Sequence, residues 1–189
     1  MIYNAHYKSP VGDILLASKD NKLIGLWIEG QKHYLSNIKE ETKEFDNDKI
    51  LLETKQWLDR YFNKKKPSIK ELKLNPIGSE FRQSVWKILC EISYGKVTTY
   101  NDIAKQIAKQ KGIKKMSAQA VGGAVSHNPI SIIIPCHRVV GSNGSLTGYA
   151  GGIEKKIFLL EHEEVDMKNL FIPRKGTALW IKKDVNGVI

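Results

Sequence analysis

The chain has 189 residues, 41% hydrophobic and 26% charged, a balance that excludes collagen-like, disordered and membrane-embedded classes. Thirty basic residues against 20 acidic ones give a formal charge of +10; such an excess is either the footprint of a phosphate-backbone binder or a solvated face that keeps a protein soluble. No apolar run nears the roughly 18 residues of a membrane span, no basic-then-apolar leader opens the chain, and two cysteines are too few for a disulfide framework or a cysteine-built zinc site, so a cytoplasmic protein with reduced thiols is expected.

Taken in chain order, Ile2 to Lys8, Val11 to Ser18 and Leu23 to Glu29 are β-prone. The tetrapeptide Lys19-Asp20-Asn21-Lys22 joins the last two as a hairpin. From Asp48, a plausible N-cap, Leu51, Leu52, Trp57, Leu58, Tyr61 and Phe62 recur at helical intervals, and Asn63 to Pro67 ends that helix. The Lys- and Pro-bearing stretch up to Ile77 reads as a linker. It separates an N-terminal α/β domain, residues 1–75, from a second domain over residues 76–165. Ser79 begins a helix with Phe81, Val85, Ile88, Leu89 and Ile92 on one face, closed by Tyr94-Gly95. Thr99 caps the next helix, with Asp102 completing an approximate capping box and Ile103, Ala104, Ile107 and Ala108 as its inner stripe. A basic loop, Lys109 to Lys115, leads to a third helix opened by Ser117 and stopped by Asn128-Pro129. Two short helices across a glycine-containing turn make a helix-turn-helix pattern, a weak signal by itself. Between Phe81 and Val140, nine basic residues face only Glu91 and Asp102. Residues 166–189 read as an extended tail.

The segment Ile132-Ile133-Ile134-Pro135-Cys136-His137-Arg138-Val139-Val140 carries the chemistry. A free thiol is only a few per cent thiolate at neutral pH, so a nucleophilic cysteine needs a base or a positive field. His137 can supply the base and Arg138 the field. The alternative is a buried structural cysteine beside two polar residues. After it, Gly141 to Gly152 forms a Gly/Ser/Asn-rich loop containing Gly148-Tyr149-Ala150-Gly151-Gly152, where backbone amides can approach a ligand closely.

Pro135-Cys136-His137-Arg138-Val139 resembles the active-site signature of the methylated-DNA–protein-cysteine methyltransferases, which remove alkyl groups from O6 of guanine in DNA. The resemblance extends over Ser9-Pro10-Val11-Gly12, Phe81, Val85-Trp86, Gly95-Lys96-Val97-Thr98-Thr99-Tyr100, Ala120-Val121-Gly122, Asn128-Pro129 and Leu159-Leu160-Glu161-His162-Glu163. It implies an α+β fold: an N-terminal ribonuclease-H-like sheet with a helix, then a helical domain containing the helix-turn-helix. It implies a suicide alkyl transfer without cofactor or metal, in which Cys136 accepts the alkyl group, His137 is the base acting through a water, and Glu163 orients it. Asn128 then braces the active-site turn and Tyr100 polarises the leaving guanine. Val139, Tyr149 and Ala150 line the base pocket. Toward DNA, the resemblance places Ser117, Gln119, Asn101, Ser142 and Arg138, with the small residues Ala118, Ala120, Gly122, Gly123 and Ala124 allowing close approach of the helix Ser117 to His127. Gln119 stands where the family's best-known member inserts an arginine into the base stack, so base flipping is expected without an arginine finger. The implied partner is double-stranded DNA containing O6-alkylguanine, and O4-alkylthymine as a second lesion, bound by a monomer. The rival readings are a non-catalytic binder of alkylated DNA, which would lack the acceptor thiol, a helix-turn-helix regulator, for which no dimerisation or ligand domain is visible, and a multiple-turnover cysteine hydrolase, for which no oxyanion site is visible.

Other conspicuous residues read blandly. Cys90 is expected to be an inert core thiol, His162 a surface helix residue, and Trp27, Trp57, Trp86 and Trp180 packing groups; His6, His33 and His127 have no nameable partner.

Overall fold

The computed structural model describes residues 1–173; Trp180 and most of the expected tail lie outside them. Strands β1 (Ile2–Ser9), β2 (Gly12–Lys19) and β3 (Lys22–Ile28) form an antiparallel meander, and the short β4 (Thr42–Glu44) adds parallel to β1, giving the order β3-β2-β1-β4. Asp20 and Asn21 turn the hairpin with φ of 51° and 55°, the left-handed region that Asp and Asn tolerate best. Helix α1 (Lys49–Phe62) starts where Asp48 accepts the Leu51 amide, and it lays Leu51, Trp57, Leu58 and Tyr61 into the core.

β3 is buried nearly end to end although it lies at the sheet edge. Two later segments cover that edge. Leu23 exchanges backbone bonds with Lys73 and Asn75, and Leu26 with Pro129 and Ser131, all at 2.8–2.9 Å. Capping an edge removes a row of unpaired peptide groups, and here it also fixes the loop after Pro129 against the N-terminal sheet. The stretch read as a linker is therefore structural: it contains a 3-10 turn, Ile69–Glu71, closed by a reciprocal Ser68/Glu71 capping box, and then runs along β3.

The second part contains α2 (Glu80–Cys90), α3 (Tyr100–Gln110), α4 (Ala118–Ser126) and α5 (Ile153–His162), with β5 (Thr98–Thr99) and β6 (Val139–Val140) pairing in parallel. Ser79, Thr99 and Ser117 each cap the helix they precede by accepting an amide three residues on. α3 and α4 pack together as the helix-turn-helix. Trp86 donates its indole N–H to the Ala124 carbonyl at 2.9 Å, locking α2 under α4. The principal hydrophobic cluster runs unbroken from Ile14 and Leu16 in the sheet through Tyr61 and Trp86 to Val121, Cys136 and Leu159. No helix among the described residues is long and apolar enough to cross a membrane.

Candidate active site

The loop between α4 and β6 is shaped by Asn128, which is 3% exposed. Its Oδ1 accepts the Ile130 amide at 3.0 Å, while its Nδ2 donates to the Ile134 carbonyl at 2.8 Å and to Cys136 Sγ at 3.1 Å. One amide side chain thus ties the start of the loop to its end and to the thiol. The path is tight enough to hold Ile132 at φ 68°, a conformation a β-branched residue adopts only when its surroundings impose it. Pro135 then leads into a single 3-10 turn, Cys136–Arg138.

Cys136 and His137 are buried and so is Glu163, which follows α5. His137 Nε2 lies 2.7 Å from Glu163 Oε1, and Arg138 grips the same carboxylate through Nε at 2.7 Å and Nη2 at 3.0 Å. Burial works to raise the Glu163 pKa, but His137 and Arg138 outweigh it and hold the carboxyl well below its usual range. An ionised carboxylate only accepts, so Nε2 carries the ring hydrogen and Nδ1 of the neutral ring presents a lone pair. Burial keeps that ring neutral, pushing its pKa down against the pull of Glu163. Nδ1 is buried and has no hydrogen-bond partner among the described residues, and the same holds for the Tyr149 hydroxyl. Two unpaired polar atoms beside a thiol mark a site built for a further polar group.

Burial also raises the Cys136 thiol above its ordinary pKa, countered by Asn128, by Lys156 and by the amides of Cys136 and His137. The resting sulfur is a buried, protonated thiol with four groups arranged to favour its anion. Sequence reasoning missed Lys156. It is fully buried on α5 and donates to the carbonyls of Val139 at 2.6 Å and Thr147 at 2.7 Å. Tyr100 donates to the same Thr147 carbonyl at 3.0 Å, and Gly148 has to lack a side chain there, because a Cβ would meet the Tyr100 hydroxyl at 2.5 Å. Val139, Tyr149 and Ala150 are buried around this point; the Ala150 carbonyl accepts the Lys32 amide at 2.9 Å. Tyr100, Cys136, His137, Tyr149 and Glu163 therefore come together.

Ser117, Gln119, Asn101 and Ser142 are exposed, as are Ala120 and Gly123. Two residues assigned to the DNA face are placed elsewhere. Arg138 turns inward, with Nη1 donating to the Ile92 carbonyl and the rest of its guanidinium on Glu163, since a buried carboxylate demands a counter-charge. Ala124 faces the core, under Trp86. His33 and His127 do have partners: their rings stack at 3.7 Å. His162 is half-buried, with Nε2 2.9 Å from the Tyr61 carbonyl. Cys90, half-buried, has a thiol pushed up to about 11 by burial, which suits an inert group.

Residues 2–76 match the family model described as 6-O-methylguanine DNA methyltransferase, ribonuclease-like domain, and residues 80–165 match its DNA binding domain. The chain belongs to this family. It is 44% identical over 162 residues to the methylated-DNA–protein-cysteine methyltransferase of Methanosarcina barkeri, covering 85% of this chain and 96% of that one. The Haemophilus influenzae protein of the same name is 38% identical over 164 residues, covering 87% of each. Among solved structures, Mycobacterium tuberculosis OGT in complex with DNA superposes with a TM-score of 0.69 at 34% identity, covering 86% of this chain and 92% of that one.

Proposed function

We propose that this protein repairs alkylated DNA by moving the alkyl group from O6 of guanine onto Cys136, irreversibly and once per molecule. The observation that carries the reading is the buried set of the Cys136 thiol, the adjoining His137 imidazole with an unpaired Nδ1, and Glu163 on its Nε2. This is nucleophile, base and orienter in sequence. His137 Nδ1 takes the thiol proton through a water, and the thiolate attacks the alkyl carbon. The S–C bond forms as the C–O6 bond breaks, and the electron pair leaves with the guanine. A proton returned to the purine completes the exchange, with Tyr100 beside the leaving base. The thioether has no good leaving group, so the cysteine is consumed.

An O6 substituent is hidden inside a duplex, so the base has to be extruded, at a cost of a few kcal/mol that damage lowers. The exposed small residues of α4, with Ser117 and Gln119 at its start, suit a helix laid close against the minor groove. Asn101 and Ser142, also exposed, join them at the DNA, and Gln119 fills the gap left by the base. Double-stranded DNA carrying O6-alkylguanine is the substrate, O4-alkylthymine a second one, and a cytoplasmic monomer the working form. Incubation with an O6-methylguanine duplex should add one methyl group to the peptide containing Cys136, read by mass spectrometry. Methylation of Cys90 instead, or many guanines restored per protein molecule, would overturn the reading.

A further inference from the structure

One side chain of the N-terminal domain reaches the Glu163 carboxylate directly. Tyr61, on α1, donates its hydroxyl to Glu163 Oε1 at 2.7 Å, the oxygen that also accepts His137 Nε2. The ring is clamped: it stacks on Trp57 at 5.5 Å and 10°, and meets Tyr94 edge-on at 6.2 Å. Its backbone carbonyl also pairs with the ring of His162, the residue before Glu163, at 2.9 Å. Two separate contacts thus fix the end of α5 from α1.

We propose that Tyr61 is a positioning residue for alkyl transfer, holding Glu163 Oε1 against His137 and drawing on that oxygen's charge, so that the N-terminal domain sets how strong a base the imidazole is. The proposal rests on the alkyl-transfer reading above. Its physical basis is competition at one carboxylate. Glu163 is faced by Tyr61 from α1, by His137 and Arg138 from the 3-10 turn, and by the Gly95 amide, 3.4 Å from Oε2, beside Tyr94. Tyr149 of the glycine-rich loop, Lys156 of α5 and Cys136 complete the polar surroundings of the pair. Each donor spreads the carboxylate's charge. Removing the phenol leaves more charge to stabilise an imidazolium, while freeing the carboxylate to shift. The base becomes stronger and less well aimed.

The test is Tyr61→Phe in the full chain, which keeps the ring and its stacking. The His137 ring is titrated by NMR without DNA, and single-turnover methyl transfer from an O6-methylguanine duplex is followed across pH. The expected result is a His137 midpoint raised by about one unit, transfer at neutral pH slowed about tenfold, and unchanged affinity for DNA. Trp57→Phe, which disturbs the stack without touching Glu163, should lower thermal stability and leave the His137 midpoint in place. An unmoved midpoint in Tyr61→Phe, or an equal shift in Trp57→Phe, overturns the proposal. A wild-type protein that leaves the methyl group on guanine overturns the alkyl-transfer reading instead, and the titration, which needs no substrate, still decides whether Tyr61 governs the imidazole.

Discussion

Lys156 is a cation buried without a carboxylate: its two acceptors are neutral carbonyls. Burial drives its pKa down to about 8, and the Cys136 thiolate pulls the other way. Such a residue is costly to fold, and what it contributes here is a positive charge that favours the Cys136 thiolate. Lys156→Met should therefore move the thiol titration of Cys136 to higher pH by about a unit, measured as the pH dependence of carboxamidomethylation by iodoacetamide. An unchanged profile would leave the thiolate to Asn128 and the two backbone amides. None of this is legible along the chain, where Lys156 sits beside Glu154 and Lys155 and looks like part of a solvated helix face. Cys136 and His137 were legible because they are contiguous. Tyr61 was not, because 102 residues separate it from Glu163 and only folding brings them together. Arg138 was misread for the same reason: an arginine in a basic segment looks like a phosphate ligand until the buried carboxylate that claims it is seen.

At the scale of elements, local chemistry was the readable part. Asp48 and Thr99 were recognisable as N-caps and Ser79 and Ser117 as helix starts, because a side-chain oxygen satisfying an amide three residues on is an event within one turn. The three-residue β4 and the two-residue β5 and β6 were not readable, since their pairing partners create them. The covered edge of β3 hid in the same way, and the segment covering it looked like a linker. The helix-turn-helix also yields a prediction. Lys109, Lys111, Lys114 and Lys115 are all exposed, between or at the ends of α3 and α4. If they meet phosphates, each releases counterions on binding, and the slope of log affinity against log salt steepens by roughly 0.9 per contact. Replacing all four with glutamine should flatten that slope by about two to four, with methyl transfer at saturating DNA unaffected. Titration of a fluorescent duplex at several salt concentrations measures it; an unaltered slope would move the DNA-facing surface to another part of the molecule.

Across the whole molecule, one core and one carboxylate join what the sequence divides. The main hydrophobic cluster includes both sheet and helices, so the two parts should unfold in a single calorimetric transition. The pH dependence of that transition follows from the buried site. Lys156 and His137 have folded pKa values below their unfolded ones, and Glu163 likewise, so for all three the unfolded chain binds more protons. Stability then rises with pH through each window. As pH falls it is lost from about 10 to 8 through Lys156, below roughly 6.5 through His137, and below roughly 4.3 through Glu163. The Cys136 and Cys90 thiols and the buried Tyr61 and Tyr149 hydroxyls are raised by burial and act oppositely: what they contribute is present below about pH 8.5 for the thiols and about pH 10 for the phenols, and fades as pH climbs toward their folded values. The melting temperature should therefore be highest on the alkaline side of neutrality and decline in steps toward acid. His137→Asn should remove the step near pH 6.5 while leaving the one below pH 4.3, because Arg138 still pairs with Glu163. A melting temperature flat from pH 8 to 5 would mean that the imidazole takes its proton as readily inside the fold as outside, and that burial does not hold the ring neutral against Glu163.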